Sequence, residues 1–70
     1  MISYVPFWKT LKDKKVTQYQ LVQKLGVSKG LIYRIKKNDV ITTHSINKLC
    51  SILDCNVEDI ILFTKDSENP

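Results

Sequence analysis

Seventy residues with 43% hydrophobic side chains can build one small core, near the lower limit for a domain without disulfide or metal staples. The net charge of +4 hides an asymmetry: ten Lys/Arg face Asp13 and Asp39 in residues 1–53 (+8), and Lys65 faces five acids in residues 54–70 (−4), a basic body suited to a polyanion. No apolar run approaches the ~20 residues that cross a bilayer, which excludes a membrane-spanning chain.

Residues 1–5, MISYV, are β-prone and read as an extended arm or a frayed end. They have neither the basic start nor the long apolar run of a signal peptide. Pro6 is tolerated in a first helical turn, and Val5 before it is biased to extended geometry. A first helix is therefore predicted from about Pro6, with Phe7, Trp8 and Leu11 as its apolar face and Lys9, Lys12, Asp13 and Lys14 outside. Residues 14–16 connect, with Val16 turned inward. Thr17 and Gln20 form a capping box, Thr-x-x-Gln, that starts a second helix at Gln18. Gly26 supplies the left-handed residue that closes this helix, and Ser28 caps the next. Val27 plugs the angle between them. So short a turn makes the two segments, 18–25 and 29–37, cross steeply.

At 100° per residue, Ser28, Leu31, Ile32 and Ile35 share one side of the third helix. Lys29, Gly30, Tyr33, Arg34 and Lys37 share the other. That outer face holds three cations and an aromatic ring and no acid. A merely solvated helix would mix signs to gain i,i+4 pairs; here the mutual repulsion is relieved only by an anionic partner.

Residues 38–41 read as a loop. Thr42 caps a fourth helix over 43–53, whose stripe is Ile46, Leu49, Cys50 and Leu53. Asn56 caps a fifth helix, with Glu58 and Asp59 at the positive end of its dipole and Val57, Ile60 and Ile61 facing inward. Residues 65–70 read as a polar, flexible tail. Cys50 and Cys55 with the one histidine, His44, give no zinc or redox spacing. They read as packed thiols in a reducing cytoplasm, and no metal or cofactor is expected.

The spacing then carries a likeness. Counting from Gln18, apolar residues fall at Leu21, Val22 and Leu25, the glycine at Gly26, and the next apolar pair at Ile32 and Ile35. This pattern resembles the Cro/CI-type (XRE) helix-turn-helix of small phage and bacterial repressors. The likeness continues through THSINKLCSILDCNVEDI, similar to that family's fourth helix and the start of its fifth, and covers about residues 7–61. It implies an all-α, five-helix, lambda-repressor-like DNA-binding domain over residues 1–70, with helices two and three as the motif. Three positions depart from the family pattern. Val22 stands where alanine is usual, Gly30 where a polar base-reading side chain is common, and Asn38-Asp39 where asparagine-glycine is common.

Function follows as an expectation: a transcriptional regulator, most simply a repressor, that inserts helix 28–37 into the major groove of double-stranded DNA. In such a motif Ser28 and Lys29 lie at the helix end that points into the groove. Lys29 can donate to guanine O6 or N7, and Arg34 can do so bidentately or clamp a phosphate. Tyr33 can offer its ring to a thymine methyl, and Gly30 lets the backbone approach the bases. By the resemblance, Gln18, Lys36, Lys37 and Asn38 would meet backbone phosphates. The alternative is a protein-binding module such as an antitoxin or adaptor, which would require an acidic partner. An enzyme is disfavoured, since no nucleophile pairs with a base and no phosphate loop is present; no small-molecule ligand is expected either. One recognition helix reads few base pairs, so a homodimer on half-sites about one helical turn apart is expected. Ile61, Leu62 and Phe63, with the N-terminal arm, are the expected interface; the alternative is that residues 1–5 fold back on Leu62 and Phe63 within one chain.

Overall fold

The computed structural model describes residues 1–65. Strand β1 (Ile2–Ser3) leads into α1 (Val5–Lys14), α2 (Gln18–Gln23), α3 (Lys29–Lys36) and α4 (Thr43–Leu53), followed by a 3₁₀ turn at Val57–Asp59 and strand β2 (Leu62–Phe63). Most elements begin where a side chain can satisfy an orphan backbone donor. The Thr17 hydroxyl accepts from the Gln20 N–H at 3.1 Å and the Gln20 amide oxygen from the Thr17 N–H at 2.9 Å, closing the capping box. Ser28 Oγ accepts from Leu31 N–H, and Thr42 Oγ1 from Ser45 N–H, each at 3.1 Å. Helix α1 starts at Val5, one residue before Pro6, because the Ser3 hydroxyl accepts from the Val5 N–H and Pro6 fits its first turn.

One apolar cluster joins all four helices: Phe7 and Leu11 from α1, Leu21 from α2, Leu31, Ile32 and Ile35 from α3, and Leu49 and Leu53 from α4, with Tyr4, Val27 and Ile60. Trp8 packs against this cluster, its ring edge-to-face with Phe7 at 4.9 Å between centroids. Cys50 and Cys55 pack there too as free thiols, and burial, then the neighbouring Cys50, pushes the Cys55 thiol up to about 11. The buried Thr10 hydroxyl donates to the Asp59 carbonyl at 2.7 Å, tying α1 to the 3₁₀ turn.

Three expectations need correction. Over the described residues the fold is mostly helical with four α-helices, and the expected fifth helix is a single 3₁₀ turn. Its capping contact forms, Asp59 accepting from the Asn56 N–H at 2.9 Å, but the β-prone run Ile60-Ile61-Leu62-Phe63 then extends rather than coiling. Ile60 is buried, whereas Val57, expected inward, is 51% exposed. Nor is the chain purely helical. Antiparallel pairing sets Ile2 against Phe63 and Ser3 against Leu62, and Thr64 N–H donates to the Met1 carbonyl at 2.8 Å. The N-terminal residues therefore lie against Leu62 and Phe63 of their own chain. Helix α2 also ends at Gln23, two residues earlier than expected, and leaves Leu25 exposed.

Residues 66–70 of the expected tail lie outside the described residues. Among the described residues, no helix is long and apolar enough to cross a membrane.

Candidate nucleic-acid interface

The angle between α2 and α3 is set by three residues. Gly26 has φ +78°, the left-handed conformation that costs glycine nothing. That reversal lets the Val27 N–H donate to the Leu21 carbonyl at 2.9 Å, a helix-terminating bond. Val27 drops into the core at 2% exposure, and Ser28 opens α3. Lys48 on α4 adds an unforeseen tie, its ammonium donating to the Gly26 carbonyl at 2.9 Å. Nothing local in the sequence marks that contact, which spans 22 positions. Val22 is accommodated half-buried, so the extra bulk relative to alanine sits at the edge of the helix pair.

With Leu31, Ile32 and Ile35 buried, α3 has a fixed inner side. Lys29, Gly30, Tyr33, Arg34, Lys36 and Lys37 are all exposed on the remainder. Among the described residues none of these cations pairs with an acid; the described ion pair is Lys9 with Asp13 at 2.8 Å, on α1. Lys37 instead turns to Tyr33, lying 5.2 Å from the ring centroid and 3.3 Å from its hydroxyl. The attraction between cation and ring offsets part of the crowding of like charges. At Gly30 an added Cβ would meet nothing nearer than Ser28 Oγ at 4.0 Å, so the fold itself does not demand glycine there.

The far end of α3 is clamped. Asn38 takes φ +57°, closing the helix where a glycine is usual, and the Asp39 N–H donates to the Arg34 carbonyl at 2.8 Å. The Asn38 amide donates to the Ile2 carbonyl at 3.2 Å, and the buried Tyr4 donates its hydroxyl to the Asp39 carbonyl. Burial and the nearby Asp39 raise the Tyr4 pKa, so the phenol stays a donor. The arm thus holds α3 from its C-terminal end. Sequence reading gave Tyr4 no place, since its partner is 35 positions away.

Of the expected contact residues, Gln18, Lys29, Tyr33 and Lys36 come together along a single groove between α2 and α3. Ser28 and Gly30 lie at the start of α3, and Arg34, Lys37 and Asn38 continue the surface toward its end. Asn38 is the exception in role, because its amide already serves the arm. Asp39 stands just beyond the end of α3, whereas Asp13, Asp54 and Asp59 line a polar cleft beside α1 and the 3₁₀ turn.

The family model described as the Cro/C1-type HTH DNA-binding domain matches residues 7–66. The crystal structure of the transcriptional regulator VanUg superposes with a TM-score of 0.81 at 29% sequence identity, covering 93% of this chain and 87% of that one. No curated protein sequence matches the chain.

Proposed function

This chain belongs to the Cro/C1-type helix-turn-helix DNA-binding family, and from that premise we propose that it is a sequence-specific, cytoplasmic transcriptional regulator acting as a repressor. Helix α3 enters the major groove, with Ser28, Lys29 and Gly30 leading and Tyr33 and Arg34 facing base edges. Gln18, Lys36 and Lys37 hold backbone phosphates, and Asn38 contributes at most one amide hydrogen beyond its bond to the arm.

One observation supports this most strongly: the exposed face of α3 carries Lys29, Arg34, Lys36 and Lys37 with no paired acid among the described residues. Four uncompensated cations on about two helical turns repel one another, and a polyanion relieves that repulsion while releasing counterions. An antitoxin or adaptor would need an unusually acidic partner to fit the same face. The structural parallel described above is itself a transcriptional regulator.

The protein acts as a homodimer on DNA. Although the arm pairs with β2 within one chain, Ile2, Leu62 and Phe63 keep exposed apolar surface, with Leu62 at 50% and Phe63 at 67%. A second copy covers that surface and sets two α3 helices about one DNA turn, roughly 34 Å, apart.

The test is selection of bound sequences from a random duplex pool, followed by affinity measurement for Lys29→Ala and Arg34→Ala. A base contact costs about 1–3 kcal/mol of discrimination at one position; a phosphate contact weakens all duplexes and lowers the salt slope by about 1. Unchanged affinity in the double variant would defeat the proposal. Sedimentation finding one protomer per selected palindrome at saturation would defeat the dimer.

A further inference from the structure

Between α2 and α3 runs a surface groove of about 600 Å3. Buried Ile32 and half-buried Val22 form its floor, the exposed Tyr19 and Tyr33 its walls, and Lys29 and Lys36 bound it along α3. The α3 residues stand at i, i+3, i+4 and i+7, so they form a stripe on the side turned toward α2. Among the described residues no acid lines the groove.

Tyr19 has no task within the fold. Its side chain is 70% exposed, and its hydroxyl has no hydrogen-bond partner among the described residues. Tyr33, across the groove, is 60% exposed. Two aromatic rings over an aliphatic floor, flanked by cations, suit a ligand that alternates apolar and anionic parts. The sugar–phosphate strand of a duplex has that alternation. The groove is also continuous with the base-facing surface of α3, since Lys29 and Tyr33 belong to both.

We propose that this groove takes a deoxyribose–phosphate segment of the target duplex, with Tyr19 packing on the sugar and donating its hydroxyl to a phosphate oxygen. The proposal rests on the DNA-binding reading above and adds Tyr19 as a positioning contact. A backbone contact carries no base information; it fixes the register and depth at which α3 sits. The Gln18 amide, beside Tyr19 on the same helix, supplies a second neutral donor to the same strand.

The test compares wild type, Tyr19→Phe and Tyr19→Ala at fixed salt. The probes are a random duplex pool of about two helical turns and the duplex that wild type selects from it. A hydrogen bond to a charged group implies about tenfold weaker binding for Tyr19→Phe. Tyr19→Ala should be weaker still, with the ratio of selected to random affinity unchanged for both variants. Replacing single phosphates of the selected duplex by neutral methylphosphonates should reveal one position that weakens wild type and leaves Tyr19→Phe unaffected. Variants that bind like wild type, a loss confined to the selected duplex, or the lack of such a phosphate position would overturn the proposal alone. Wild type binding neither probe would overturn the DNA-binding reading with it.

Discussion

Ile35 joins α3 to the core, and its truncation offers a graded test of that join. The side chain is 2% exposed and faces a cluster that includes Ile32, Leu49 and Val27. Ile35→Ala removes apolar atoms from a site whose neighbours are already packed, so cavity and transfer terms add. The cost should be about 3 kcal/mol, within the usual 2–5 kcal/mol for such truncations. Seventy residues at roughly 0.05–0.15 kcal/mol each give about 4–10 kcal/mol in total. The variant would thus lose a third or more of its stability, and its thermal midpoint should fall by about 12–24 °C. Val57→Ala is the control: half-exposed on the 3₁₀ turn, it should change stability by about 0.5 kcal/mol or less. Far-UV circular dichroism during heating and urea titration reads both. A cost below about 1 kcal/mol for Ile35→Ala, or equal costs for the two variants, would refute this account of how α3 is held.

Gly30→Ala should raise stability by up to about 1 kcal/mol, since the added methyl group meets no clash. The same change should weaken duplex binding by obstructing the approach of the helix to the bases. Asp54→Gly should stabilise by about 1 kcal/mol, because it relieves a left-handed non-glycine residue at φ +51° and removes a carboxylate from the negative end of α4; a urea midpoint that falls would contradict this. Under reducing conditions the Cys55 thiol, at about 11 folded against 9.0 for an unperturbed thiol, makes stability pH-dependent. The folded state holds its proton longer than the unfolded chain, so this contribution is complete below pH 9 and is lost as pH rises to about 11. Cys55→Ala should flatten that part of the profile.

The motif was legible because its signals are local. The Thr17–Gln20 box, the Ser28 and Thr42 caps and the Gly26 reversal each act within a few residues, and the bounds of α4 agree with the reading residue for residue. Family resemblance and cap chemistry pointed the same way. The C-terminal segment misled because a good cap at Asn56 does not ensure a helix when the following residues gain more from pairing with a distant strand. Tyr4 and Asn38 illustrate the same limit at the site. Tyr4 falls in a segment that reads as an arm or frayed end and Asn38 reads as a phosphate contact, yet together they tie the arm to the end of α3. Lys48, read only as part of the basic surface, braces the turn through a carbonyl 22 positions away. Tyr19 was passed over because an exposed aromatic on a six-residue helix carries no pattern; its meaning comes only from the groove it shares with Tyr33.

The central claim is that duplex DNA meets this protein on α3 and the start of α2. Amide chemical-shift mapping during titration with a selected duplex tests it residue by residue. The account predicts that the largest changes fall at Gln18 and Tyr19 and from Ser28 through Lys37, with Asp54, Glu58 and Asp59 left nearly unmoved. Changes centred on the acidic cleft or on the β1–β2 pair, with α3 undisturbed, would contradict it.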